Sequence, residues 1–133
     1  MKPYLLYSSS SHPNGGPYPS DKRPYYKPSQ RRVEFHDGSV AFLYSSEKPE
    51  RLRGPEHHYA WADELCVWGK SDPKIARETW DMLQMGMRLG NHPQTFITTT
   101  PRPIPILKEL INNEKTYVVR GSTYENTHNL PES

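Results

Sequence analysis

Tyr59-Ala60-Trp61-Ala62-Asp63-Glu64 decides how the chain reads. An apolar run entered from His57-His58 stops abruptly at two adjacent carboxylates. A strand that delivers Asp and then Glu from its C-terminal end is how many nucleotide triphosphatases build a catalytic edge. The first carboxylate holds Mg²⁺, usually through water, and the second orients and deprotonates the attacking water. The same pair also suits a polar turn or a helix cap, so what surrounds it has to decide.

Downstream, Asp72-Pro73 offers an N-cap and a first-turn proline. Ile75, Ala76, Thr79, Trp80, Leu83 and Met87, with Met82 on the flank, recur at helical spacing and predict a helix reaching Leu89. Gly90 and Pro93 close it, and the methionines at 82, 85 and 87 read as core filling. Gln94–Thr99 reads as a strand, with Phe96-Ile97 between threonines. A short helix over Pro103–Ile111 and a strand over Thr116–Arg120 follow. Strand, helix, strand, helix, strand predicts a parallel α/β sheet with crossover helices, whose ligands bind beyond the carboxyl ends of the strands. Asp63-Glu64, Thr98-Thr99-Thr100 and Gly121-Ser122-Thr123 would converge at that edge.

Upstream, Val33-Glu34-Phe35, His36-Asp37-Gly38 and Ser39–Tyr44 spell strand, turn, strand: a β-hairpin. Residues 1–30 carry prolines at 3, 13, 17, 19, 24 and 28, a serine run and Gly15-Gly16, and read as an irregular arm. Its tyrosines and the basic set Lys22, Arg23, Lys27, Arg31 and Arg32 allow nucleic-acid contact, but without regular spacing a solvated arm is favoured.

The chain has 133 residues, 14 of them proline, and only 33% are hydrophobic, so it holds one modest domain rather than two. A formal charge of +2 permits an anionic partner without demanding one. Cys66 has no second cysteine to pair with and fits a small buried hydrophobe in a reducing compartment. Nothing approaches the roughly 18 apolar residues a membrane span needs, and Met1–Tyr7 does not make a secretory signal, so a cytoplasmic location is expected.

Gly69-Lys70-Ser71 imitates the end of a phosphate-binding loop. The full motif places a glycine where this chain has Glu64, so the imitation fails, and no other stretch supplies the motif. Backbone amides and a lysine around the β- and γ-phosphates are therefore missing from the 133 residues.

From about Ser20 onward the chain resembles the large subunit of tailed-phage terminases, the motors that pump DNA into proheads. The match is carried by Arg51–Pro55, Ala60–Leu65, Thr79-Trp80-Asp81, Arg88-Leu89-Gly90, Thr98–Pro103 and Arg120–Asn126, in that order. The resemblance implies a partial P-loop NTPase-type sheet over 31–133, behind the irregular arm of 1–30. It implies that Asp63 and Glu64 are the Walker B pair, with Asp63 on Mg²⁺ and Glu64 as catalytic base. Thr98, Thr99 and Thr100 look like the coupling motif that senses the γ-phosphate. Arg53 matches the place of a candidate arginine finger for a neighbouring subunit; a solvated loop charge is the alternative. In the complete motor the resemblance implies ATP and Mg²⁺ as cofactors, and double-stranded DNA, the small terminase subunit and the portal as partners.

Residues 1–19 stand outside the resemblance, and neither a Walker A loop nor the nuclease half is present in the sequence. The chain is thus expected to be the C-terminal part of the ATPase domain, a fragment without catalytic competence that binds no cofactor tightly. The alternative is a non-catalytic prophage remnant that oligomerises or binds nucleic acid. The implied sheet order sets the Thr95–Thr99 strand between the Walker A and Walker B strands. Without the former, its free edge is expected to drive self-association, to be covered by the 1–30 arm, or to leave the chain poorly folded.

Overall fold

In the computed structural model, which describes residues 22–122, the Asp37-Gly38 turn closes the expected hairpin. Asp37 Oδ1 accepts from the Ser39 amide at 2.9 Å, and Gly38 takes the positive φ of 85° that the turn requires. Strands β2 (Arg32–Glu34) and β3 (Val40–Phe42) then pair antiparallel, with Val33 opposite Ala41. A further strand, β1 (Tyr25–Lys27), pairs on the other side of β2, with Tyr26 opposite Val33.

β1 corrects the expectation of irregular structure as far as residue 30. Tyr25-Tyr26-Lys27 is a proline-free triplet between Pro24 and Pro28, so it keeps its backbone donors, and tyrosine favours strands. Glu34 accepts across the pairing from Lys27 Nζ at 2.9 Å, and from the Arg32 guanidinium on its own strand. The Lys27 hydrogen bond, with the charge of Arg32 beside it, holds the Glu34 carboxyl below its ordinary range. Two cations of the basic set are thereby committed to a carboxylate; the arm before residue 22 lies outside the described residues.

Helix α1 (Pro73–Gly86) begins as expected, with the Asp72 side chain accepting from the Lys74 amide at 2.9 Å and Pro73 in the first turn. Ala76, Thr79, Trp80 and Leu83 form its buried stripe, and the helix packs on the short 3₁₀ turn Pro49–Leu52. Thr79, 1% exposed, donates to the Ser46 carbonyl at 2.7 Å and ties the helix to the loop after β3.

The helix ends at Gly86, four residues short of Gly90. Its last peptide group is claimed from the side: His57 N–H donates to Gly86 C=O at 2.8 Å, and Leu89 N–H donates to His57 C=O at 3.2 Å. A Cβ at position 86 would stand 2.7 Å from the Pro55 carbonyl oxygen, so this close approach requires glycine. Residues beyond Gly86 run alongside His57 instead of continuing the helix, and Met87 and Met82 are only half-buried. Met85 is exposed and fills no core.

Strands β4 (Tyr59–Asp63) and β5 (Gln94–Thr98) lie parallel and in register from Tyr59 opposite Gln94 to Asp63 opposite Thr98, with α1 as the crossover. The alternation of strand side chains gives this pair two faces. Ala60, Ala62, Thr95 and Ile97 share one, where Ala62 is fully buried and Gln84 of α1 reaches Thr95 at 3.3 Å. Tyr59, Trp61, Asp63, Phe96 and Thr98 share the other.

The expected third parallel strand over 116–120 does not form. Thr116 N–H closes a turn onto Asn113 C=O, and Tyr117 and Val119 are exposed with no strand beside them among the described residues. The β-propensity of Tyr-Val-Val needs a neighbouring ladder to become a strand. Gly121 and Ser122 accordingly follow no strand, and Thr123 lies outside the described residues. Among the described residues the fold is mixed α/β, with a three-stranded antiparallel sheet and a two-stranded parallel one.

The chain divides into two compact units at Thr100–Pro101. In the second, α2 (Pro105–Ile111) begins at its second proline rather than at Pro103, because Pro105 holds Ile104 in the extended conformation. No helix among the described residues is long and apolar enough to cross a membrane.

Candidate functional site

The carboxyl ends of β4 and β5 bring five chemistry-bearing residues together. Asp63 is the last residue of β4, and Glu64 then adopts the left-handed conformation, φ 50° and ψ 48°. That conformation costs a non-glycine residue about 1 kcal/mol or more. It breaks the strand, and the chain turns at once into the 3₁₀ segment Leu65–Val67, pinned by a fully buried Leu65. The buried indole of Trp68 donates to the Asp63 carbonyl at 2.9 Å and holds the strand end from below.

Three consecutive threonines bond three residues of this turn. Thr98 Oγ1 donates to Asp63 Oδ1 at 2.7 Å. Thr99 Oγ1 accepts from the Cys66 amide at 3.0 Å, and the Thr100 amide donates to Glu64 Oε2 at 3.4 Å. The end of β5 and the residues after it are thus hydrogen-bonded to both carboxylates. Asp63 Oδ2 and Glu64 Oε1 have no protein donor among the described residues.

Those oxygens suit a hard cation such as Mg²⁺, which takes oxygen ligands and keeps several waters. No group of three His, Cys, Asp or Glu side chains that could hold a metal ion occurs among the described residues. The donor set fits a hydrated ion whose remaining ligands come from elsewhere, and does not form an all-protein cage.

Arg53 is not part of this cluster. It caps the Pro49–Leu52 turn ahead of β4, its amide donating to Glu50 C=O at 3.3 Å, with its side chain exposed. Gly69, the glycine of the false phosphate loop, is a packing position: at φ 61°, its Cα faces Asp72 and Ala76 in the first turn of α1. Cys66 is buried. A separate cleft of about 630 Å³ opens beside the first half of β4, lined in part by Phe42, Tyr44, His57, Tyr59 and Trp61, and reaches neither carboxylate. Burial pushes the His57 imidazole pKa below its ordinary value there.

Sequence reasoning missed Trp61 and Trp68. The Trp61 indole donates to Thr98 Oγ1 at 2.8 Å. A signal for it exists, because Trp61 lies two residues before Asp63 and so shares its face. None exists for Trp68, whose bond depends on the left-handed break at Glu64.

One family model, described as "Terminase large subunit, T4likevirus-type, N-terminal", matches residues 12–130. The match begins at residue 12, within the stretch 1–19 expected to stand outside the resemblance. It also places the chain in the N-terminal region of that subunit, correcting the assignment to the C-terminal part of the ATPase domain. No curated protein and no solved structure matches the chain.

Proposed function

Because the chain belongs to the terminase large-subunit family, in its T4-like N-terminal region, we propose that it carries the Walker B pair and coupling motif of a phage DNA-packaging ATPase. The observation that supports this is the set of bonds joining Thr98, Thr99 and Thr100 to the turn bearing Asp63 and Glu64. Asp63 is the carboxylate toward the hydrated Mg²⁺ of the nucleotide, which supplies charge neutralisation at the phosphates when bound. Glu64 orients the attacking water and takes its proton as the bond to the γ-phosphorus forms and the bond to the ADP oxygen breaks. The threonine loop passes loss of the γ-phosphate back to the strand ends. Arg53, exposed and outside the cluster, is the group offered to a neighbouring subunit. Double-stranded DNA, the small subunit and the portal are the partners of the complete motor.

The sequence holds no phosphate-binding loop, so the chain by itself is expected to show no ATP turnover above background. Turnover by the chain alone that Glu64→Gln abolishes would overturn that expectation. The reading itself is tested by grafting residues 22–122 into the ATPase half of a complete T4-like large subunit. ATPase activity of the graft should fall by about 10²-fold or more with Glu64→Gln, the scale of a lost general base. A graft that turns over equally well with glutamine at 64 would refute the assigned role.

Self-association is the second proposal, favoured by the outer edge of β5. That edge has no partner among the described residues, Phe96 is 60% exposed, and no lysine, proline or bulge interrupts Gln94–Thr98. Light scattering should show a dimer or larger species, and Phe96→Lys should return it to monomer. A wild-type monomer at high micromolar concentration would be the contrary result.

A further inference from the structure

The bond from Trp61 to Thr98 has a directional consequence. An indole N–H can only donate, and a threonine hydroxyl carries a single proton. Since Trp61 Nε1 donates into Thr98 Oγ1 at 2.8 Å, the hydroxyl proton is left for Asp63 Oδ1, which it meets at 2.7 Å. The relay spans the two strands diagonally: Trp61 stands opposite Phe96, and Thr98 two residues further along stands opposite Asp63. Its members lie on the face of the sheet away from Ala60 and Ala62, and both bonds have ordinary hydrogen-bond lengths.

We propose that Trp61 is a positioning residue for Asp63. It occupies an acceptor lone pair of the Thr98 hydroxyl and so orients the hydroxyl proton toward Asp63 Oδ1, leaving Oδ2 as the oxygen presented to a hydrated divalent cation. Without the indole, the hydroxyl can still donate to the carboxylate but has one constraint fewer on its rotation, so the plane of the carboxylate is held less firmly. The relay polarises along its length, so a change at Asp63 is felt at the indole proton. This inference rests on the reading of Asp63 as the cation-facing carboxylate, and the experiment separates the two.

The test uses ¹H–¹⁵N spectra of the full chain titrated with Mg²⁺, and with Mn²⁺ as a paramagnetic probe of weak binding. In the wild type, Mg²⁺ should shift the Trp61 indole resonance, and Mn²⁺ should broaden signals around residues 63 and 98. Thr98→Val should move the indole resonance even without metal and abolish its response to Mg²⁺, whereas Thr98→Ser should restore both. Trp61→Phe should weaken Mn²⁺ binding about five-fold, the equivalent of one ordinary hydrogen bond. Asp63→Asn should remove the local broadening. Broadening that survives Asp63→Asn would remove the cation reading and the proposal with it. Broadening lost in Asp63→Asn, yet of unchanged affinity in Trp61→Phe and with an unmoved indole in Thr98→Val, would overturn the positioning role alone.

Discussion

Gly69→Ala is expected to destabilise the first unit by roughly 2–5 kcal/mol, from backbone strain and overpacking together. Position 69 has φ 61°, and an added Cβ would lie 2.5 Å from the Asp72 carbonyl oxygen and 2.8 Å from the Ala76 nitrogen. Both contacts are to backbone of the first turn of α1, so no side-chain rotation relieves them. Either the helix start shifts, with loss of the Asp72 cap, or the turn leading out of Trp68 opens. A urea midpoint well below wild type would show this, and Lys70→Ala next door, which is exposed, should stay within about 0.5 kcal/mol. An unchanged midpoint for Gly69→Ala would mean that the glycine packs against nothing.

Trp68→Ala should cost a comparable amount, about 3–5 kcal/mol, the usual range for emptying a buried large aromatic site. The loss is also directed at the site, because the same side chain donates to the Asp63 carbonyl at 2.9 Å. Trp68→Phe separates the two contributions: it retains most of the packing and forfeits the hydrogen bond, for about 1–2 kcal/mol. Hydrogen exchange should then rise at the end of β4 more than in α1. Equal midpoints for Trp68→Phe and wild type would assign the indole to packing alone.

What could be read from the sequence was whatever local chemistry dictates. The Asp37-Gly38 turn, the Asp72-Pro73 helix start and the strand ending in Asp63 each carry their own instruction within a few residues. The parallel pairing of β4 with β5 follows from strand, helix, strand order, and it places the threonines beside the carboxylates. Features set by distant partners were not legible. Helix α1 stops at Gly86 because His57 takes its last carbonyl, a contact no helical periodicity encodes. β1 forms between two prolines because its backbone finds β2 as a partner, with Lys27 reaching across to Glu34. Tyr117-Val118-Val119 has strand composition and finds no strand to pair with among the described residues, since an apolar triplet does not bring its own ladder. The indole donors of Trp61 and Trp68 reach the site only after β4 and β5 are in register and the chain has broken at Glu64.

That break sets the fold's preference against the carboxylate it displays. At φ 50° and ψ 48°, glycine or asparagine would sit at position 64 with less strain than glutamate. A library of this chain sorted only for thermal robustness would therefore drift away from glutamate at 64, and each step of that drift would improve the scaffold while erasing the proposed proton acceptor. Sorting for robustness and sorting for chemistry would pull this one position in opposite directions.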